Sequence, residues 1–277
     1  MAIDLQLVGK KSAPLPFTYS WKDTVLYALG VGGKIGELDF LYEGRGPKVL
    51  PTFAVVPSFT AMISVAGELG ANPMMILHGE QKITLHRAIP AGGTLRTTSE
   101  VKGIYDKGKG ALVVVEAKTV DEKGEPVFDN LFSIFVRGEG GFGGERGPEA
   151  VKADPPSRAP DFEVVEATTP EQALLYRLSG DLNPLHADPN MSKLGGFDKP
   201  ILHGLCTFGH AGRAILKGAC DGDPGKLKAF GARFAGVVIP GDTLTTRGWK
   251  IDGNQYVVTV TTQEGKLVLS NALAEIA

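Results

Sequence analysis

The sequence predicts an α+β fold in which one unit, a long helix wrapped by an antiparallel sheet, is used twice. The first observation behind this is an internal repeat: Tyr27-Ala-Leu-Gly answers Tyr176-Arg-Leu-Ser (176 − 27 = 149), and Pro51 answers Pro200 (200 − 51 = 149). The offset then grows by one, since Ile89-Pro90-Ala-Gly-Gly-Thr-Leu answers Ile239-Pro240-Gly-Asp-Thr-Leu (240 − 90 = 150). The second observation is that each of these later prolines leads into three strand-like stretches separated by Gly-containing turns. They read LRTTSEVKGIYD, ALVVVEAKTVD and PVFDNLFSIFVRG in the first half, and LTTRGWKID, QYVVTVTTQ and LVLSNALAEI in the second. A helix followed by such a meander, twice over, describes a double hot dog fold.

Taken in order, the first repeat carries the central segment SFTAMISVAGELG, rich in Ala, Gly and Ser, whose small side chains leave room that large ones would fill. Residues 138–161, GEGGFGGERGPEAVKADPPSRAPD, exchange periodicity for Gly, Pro and charge. They divide the chain into an N-terminal repeat (1–149), a linker (150–161) and a C-terminal repeat (162–277). In the second repeat Thr169 suits an N-cap, Pro170 the first helical position and Gln172 a capping box, opening a helix that ends at Gly180. Asp181 then stands just past a helix C-terminus, where the dipole does not help it ionise. Asn183-Pro184 forces a turn, because the residue before proline is pushed out of the helical region, and the turn brings Asp181 and His186 to one side of the loop.

The run LCTFGHAGRAILKGA places Leu205, Phe208, Ile215 and Leu216 among small residues, as in a buried helix. It opens at His203-Gly204 with no acidic side chain in its first turn, so its free N–H groups face outward for an anion or a polarised carbonyl. Gly204 has no side chain to keep a ligand from that N–H. An acid, a base and an open helix start thus fall close together, which are the parts needed to activate a water beside a developing oxyanion. With the same offset, Asp181 corresponds to Gly32, His186 to Glu37 and Gly204 to Val55, so the N-terminal repeat lacks all three and is expected to bind substrate without reacting with it.

The blocks YRLSGDLNPLHADP and GFDKPILHGL resemble the hydratase 2 motif of the MaoC-like, (R)-specific enoyl-CoA hydratases, a family that includes the hydratase part of peroxisomal multifunctional enzyme type 2. The resemblance implies a hydro-lyase of fatty acyl-CoA metabolism. It would reversibly hydrate trans-2-enoyl-CoA to (3R)-3-hydroxyacyl-CoA without a cofactor, the coenzyme A thioester being the substrate. It implies that Asp181 and His186 hold the catalytic water and that Gly204 N–H takes the thioester carbonyl. It also implies that His78, Gly79 and Lys107 contact coenzyme A, with Phe234 nearby. Lys107 in a hairpin suits a phosphate and equally a solvated turn; Phe234 suits packing against a nucleotide. Asn183 either bonds substrate or shapes its turn. The family carries a run like Arg137-Gly-Glu-Gly-Gly-Phe-Gly-Gly, so the first part of residues 138–161 is expected to be ordered.

Two other readings compete: a hot dog thioesterase, which would attack carbon 1 rather than carbon 3, and a non-catalytic acyl-CoA binding protein. A metal site would draw on His186-x-Asp188 or on His203 and His210, but two histidines seven apart on a helix lie about two turns from each other, so no metal is expected. Cys206 among apolar neighbours reads as a packed thiol rather than a nucleophile. At 277 residues, 43% hydrophobic and 22% charged, the chain can bury one large core or two medium ones. A net charge of −2 gives no reason to expect nucleic acid or a membrane surface. No apolar stretch of about 18 residues and no signal peptide is evident, so no membrane is expected. Cys206 and Cys220 are expected reduced in a cytoplasmic setting, with a peroxisomal one as the alternative although the chain shows no C-terminal Ser-Lys-Leu type signal. A homodimer is compatible with all of this.

Overall fold

The computed structural model describes residues 3–72, 75–149 and 152–277. In the first half β1 (Leu15–Tyr19) leads into helices α1 (Trp21–Gly30), α2 (Leu38–Leu41) and α3 (Val55–Ala66), then strands β2 (Ile76–Leu85), β3 (Gly93–Asp106), β4 (Gly110–Val120) and β5 (Pro126–Arg137). The second half runs the same way through β6 (Phe162–Ala167), α4 (Gln172–Tyr176), α5 (Pro189–Leu194), α6 (Gly204–Ala219), β7 (Leu227–Phe234), β8 (Thr243–Asp252), β9 (Gln255–Thr262) and β10 (Leu267–Ile276). The strands form one sheet in the order β1-β3-β4-β5-β2-β7-β10-β9-β8-β6, the second half mirroring the first. At the seam between β2 and β7, Lys82 pairs antiparallel with Gly231, its own counterpart in the repeat (231 − 82 = 149). A pseudo-two-fold axis therefore passes through the middle of the sheet. The central helices begin at matching positions, Val55 and Gly204. This is the double hot dog arrangement.

All six strands expected from the meanders are present. The edge strands β1 and β6 and the seam strands β2 and β7 were not anticipated. Leu227–Phe234 and Ile76–Leu85 carry glycine and charge instead of clean alternation. They are held by pairing with the opposite half, which no local pattern encodes.

Two expectations need correction. The helix before Asp181 is shorter than its caps suggest: α4 covers only Gln172–Tyr176, followed by a 3-10 turn at Arg177–Ser179. Gln172 turns its amide to the end of α1, donating to the carbonyls of Gly30 at 2.6 Å and Leu29 at 3.2 Å, and keeps only a 3.4 Å bond from Thr169 N–H. Second, the helical run Pro51–Leu69, 19 residues, is long and apolar enough to cross a membrane, contrary to the expectation of no such stretch. Thr52, Ser58, Thr60 and Ser64 disguise it in the sequence. In the protein 61% of it is buried, and α3 packs on β3 and β4 as a core helix.

The larger core spans both halves, with Tyr27, Phe53 and Ile83 against Phe208, Phe230 and Val258. A second core lies inside the N-terminal half, where Met62, Val65 and Leu69 of the Pro51–Leu69 run meet Val113 and Phe132. Gly209 lets α6 approach the chain after α1, since a methyl there would fall 2.3 Å from Val31 Cγ1. The first part of residues 138–161 is ordered as expected: the Asp106 carboxylate accepts the N–H groups of Gly141 and Gly143 at 2.8 Å and Gly108 at 2.7 Å. The N–H of Gly141, then those of Gly108 and the neighbouring glycine loop, hold that carboxyl below the usual range despite desolvation. Of the expected linker, Ala150 and Val151 lie outside the described residues, and its end is tied to the second half by Trp249 Nε1–H donating to the Arg158 carbonyl at 2.9 Å.

One buried cation locks the halves together. Arg213 of α6, 1% exposed, donates to the Val31 carbonyl at 3.0 Å and to Glu166 of β6 at 2.8 Å, and pairs with Glu37. Glu37 is the repeat counterpart of His186, so the first half has put that position to structural use. Burial alone would raise the Glu166 carboxyl, but His210, Arg213 and Lys217 outweigh it and hold it well below its ordinary 4.5. A carboxylate with a depressed folded pKa stabilises the fold above its unfolded value and loses that contribution as pH falls below it. Arg213→Met, which leaves Glu37 and Glu166 with only the partly exposed Lys217 as a cationic partner, is expected to destabilise by about 3 kcal/mol, and the wild-type melting temperature to fall as pH drops below about 4.5. Thermal melts over a pH series check both; a Glu166→Gln variant with the same acid slope would show that the carboxylate is not responsible.

Candidate active site

Gly180 ends the 3-10 turn with φ of 123°, a conformation that side chains resist, and so turns the chain toward Asp181. Asn183 caps the next turn, its Oδ1 accepting Leu185 N–H at 3.0 Å, while Pro184 opens that turn and His186 closes it. Of the two roles open to Asn183, its side-chain oxygen is thus engaged in shaping the turn. The turn delivers His186 inward: its Nδ1–H donates to the Ile201 carbonyl at 2.8 Å, which leaves Nε2 with a lone pair. Asp181 accepts Asn183 N–H at 3.2 Å.

One residue missing from the expected set completes the cluster. His203, 1% exposed, stacks on His186 with ring centroids 3.7 Å apart, and its Nε2–H donates to the Asp181 carbonyl at 3.1 Å. One ring nitrogen of each histidine and one Asp181 carboxylate oxygen lie within 4.8 Å of one another. The sequence offered His203 as the residue opening the helix with Gly204 and, for a metal, as a partner for His210, but His210 lies against Glu166, and Asp188 is spent capping α5. The available signal was the position of His203 immediately before Gly204. Tyr176, buried, packs its ring 4.9 Å from His203, and burial lifts its phenol far above the ordinary value.

The electrostatics of the cluster push acid and base together. Desolvation raises the Asp181 carboxyl above 3.8, opposed by His186, the Asn183 N–H and Arg177. Desolvation lowers the His186 imidazole below 6.5, opposed by the Ile201 carbonyl and Asp181. Moving an acid up and a base down narrows the gap between them, as suits two groups that titrate as a pair. His203 is pressed down to about 3 by burial and by His186, and stays neutral.

Gly204 is the first residue of α6, with no acidic residue in the first turn and no side-chain cap from His203. Its N–H has no earlier carbonyl in the helix to bond. Phe234 at the end of β7 covers it closely: a methyl on Gly204 would stand 3.0 Å from Phe234 Cδ1. His78 of β2 meets Phe234 edge-on, ring centroids 4.9 Å apart, and burial lowers its imidazole to about 4. The seam between the halves therefore carries His78 and Phe234 to the mouth of the Gly204 helix. Gly79 is the extra residue of a bulge where β2 runs past β5. Lys107 lies apart, on the hairpin between β3 and β4, its ammonium bonded to the Arg146 carbonyl of the glycine loop. Cys206 donates its thiol to the Gly30 carbonyl at 3.3 Å, and burial raises its pKa strongly, as fits a packed thiol rather than a nucleophile.

Comparison with known proteins matches two successive stretches of the chain, the second beginning inside the segment expected as a linker. Residues 17–138 match the family described as MFE-2 hydratase 2 N-terminal domain, and residues 151–272 the MaoC like domain. The chain is 43% identical to "Probable enoyl-CoA hydratase 2" of Dictyostelium discoideum, covering 99% of this chain and 97% of that protein. It is 41% identical to "Peroxisomal multifunctional enzyme type 2" of Mus musculus over 97% of this chain and 38% of that longer protein. Among solved structures, a MaoC-like dehydratase from Phytophthora capsici superposes with a TM-score of 0.90 at 34% identity, covering 100% of this chain and 98% of the other.

Proposed function

The chain belongs to the enoyl-CoA hydratase 2 family of MaoC-like proteins, and on that footing we propose that it hydrates trans-2-enoyl-CoA to (3R)-3-hydroxyacyl-CoA in fatty acyl-CoA metabolism, in the site made by Asp181, His186 and Gly204. The observation that carries the reading is the convergence of a raised carboxyl and a lowered imidazole beside the open start of α6.

Water held by Asp181 and His186 adds its oxygen to carbon 3 of the enoyl thioester as one water proton passes to the pair. Charge moves to the thioester oxygen, where the Gly204 N–H stabilises it. The pair then returns a proton to carbon 2 on the same face, so that one water is added across the double bond and the pair ends as it began. The seam residues His78 and Phe234 line the approach to Gly204, and Lys107 on its hairpin reaches the phosphates of coenzyme A if it exchanges the Arg146 carbonyl for them. The N-terminal half, with Gly32, Glu37 and Val55 in place of the reactive residues, serves to bind the thioester. Both halves of the pseudo-dimer are present in one chain, so the reading needs no partner subunit. The mouse relative is named as peroxisomal, and the chemistry suits a cytoplasmic or a peroxisomal setting equally.

Loss of enoyl-thioester absorbance on adding enzyme to crotonyl-CoA, with chiral analysis giving the (3R) product, tests the proposal; release of free thiol from a saturated acyl-CoA would favour a thioesterase instead. Because a carboxylate and an imidazole activate the water, no cofactor enters the proposal, and turnover is expected to survive exhaustive chelation. Activity lost in EDTA and restored by zinc would overturn that part.

A further inference from the structure

Asp181, His186 and His203 bring one carboxylate oxygen and one ring nitrogen of each histidine within 4.8 Å of one another. His186 gives its Nδ1–H to the Ile201 carbonyl and His203 its Nε2–H to the Asp181 carbonyl. These bonds fix both tautomers and leave lone pairs on His186 Nε2 and His203 Nδ1. His203 Nδ1 is fully buried and has no hydrogen-bond partner. A neutral imidazole that donates its other N–H to a backbone carbonyl is the arrangement in which histidine ligates a metal, because the carbonyl orients the ring and strengthens the lone pair. Two such imidazoles and a carboxylate match a common donor set for zinc.

We propose that Asp181, His186 and His203 form a site for a divalent transition-metal cation of the zinc class, and that its occupation reversibly stops hydration by taking the place of the reacting water. The second clause rests on the hydratase reading above; the first does not. The size of the cluster suits the ion. Donors around tetrahedral zinc stand roughly 3.4 Å apart at bond lengths of about 2.0–2.2 Å, and one ligand atom of each residue already lies within 4.8 Å of the others. Occupation requires the two stacked imidazoles to tilt apart so that their in-plane lone pairs meet at the ion. A hard cation such as magnesium, which prefers oxygen donors and retains its water, is excluded by two nitrogens out of three. The role differs from that of a catalytic metal: the free pair works on water, and the cation removes it.

The test uses the full chain freed of metal, with zinc ions alone as the probe. Calorimetry is expected to give one zinc per chain, and inhibition of crotonyl-CoA hydration is expected to follow the same concentration dependence, to be reversed by EDTA and to be absent with magnesium. His203→Gln and Asp181→Asn, checked for folding by circular dichroism, are each expected to weaken zinc binding by more than about 100-fold, beyond the loss of an outer-shell partner. Zinc bound equally well by both variants, or not bound by the wild type, overturns the proposal. So does turnover that requires zinc, since the ion would then be the enzyme's own cofactor. Binding that depends on the three residues in a protein with no turnover at all leaves the cation site standing and fails the hydratase reading alone.

Discussion

Asp181→Asn and His186→Ala are each expected to lower kcat for crotonyl-CoA by about 100- to 10,000-fold, the usual contribution of a positioned acid or base, while the protein stays folded. The Asp181 change is the cleaner of the two. It keeps the shape that accepts Asn183 N–H at 3.2 Å and removes only the charge and the proton. His186→Ala also removes a ring stacked on His203, so His186→Gln belongs beside it as a variant that fills more of the space. Melting curves separate the two effects: an unchanged melt with lost turnover places the loss in the chemistry. The pH profile gives a second reading. Desolvation lifts Asp181 above 3.8, so activity is expected to fall on the acid side at a higher pH than an ordinary carboxylate would give, and that limb is expected to shift in Asp181→Asn. If Asp181→Asn and His186→Gln both kept near-normal kcat, neither residue would be handling the water.

The second large effect is expected at a backbone group. Gly204→Pro removes the N–H proposed to hold the thioester oxygen, a loss on the order of 3 kcal/mol in transition-state stabilisation, or roughly 100-fold in rate. The helix should tolerate the change. Proline suits the first helical position, and His203 already has φ −58° and ψ 135°, the extended conformation that a residue before proline adopts. Phe234 complicates the reading, because any β-carbon at Gly204 meets its ring at about 3.0 Å. Gly204→Ala supplies the control: it adds the same β-carbon and keeps the N–H. Alanine is expected to lose activity only as far as Phe234 must shift, and proline to lose substantially more in kcat. Equal activity in the two variants would exclude this N–H as the oxyanion donor.

The residues proposed to react were legible as candidates because they are local. Asp181, the Asn183-Pro184 turn and His186 fall within one short window, and Gly204 stands at a helix start that the sequence marks by small residues and the absence of a first-turn acid. The meander strands were legible for the same reason, since alternation and glycine turns are written over neighbouring residues. His203 was not, because its partner is set by a stacking contact across a turn; sequence spacing pointed to His210 on its own helix, which the fold sends to Glu166. The seam strands β2 and β7 were missed because their pairing partner lies in the other repeat. The short α4 was overestimated because the Gln172 amide answers to the end of α1, far along the chain.

By itself, then, the sequence determined the repeat, the meander strands, an open helix start and the candidates for an acid and a base beside it. Only the tertiary structure decided that β2 and β7 join the halves at Lys82 and Gly231, that His78 and Phe234 reach the mouth of Gly204, and that Glu37 answers Arg213 instead of forming a second site. The physical reason is the range of the forces involved. Turns, caps and alternation are fixed by neighbours along the chain, whereas burial, stacking and pKa shifts depend on which distant surfaces exclude water together.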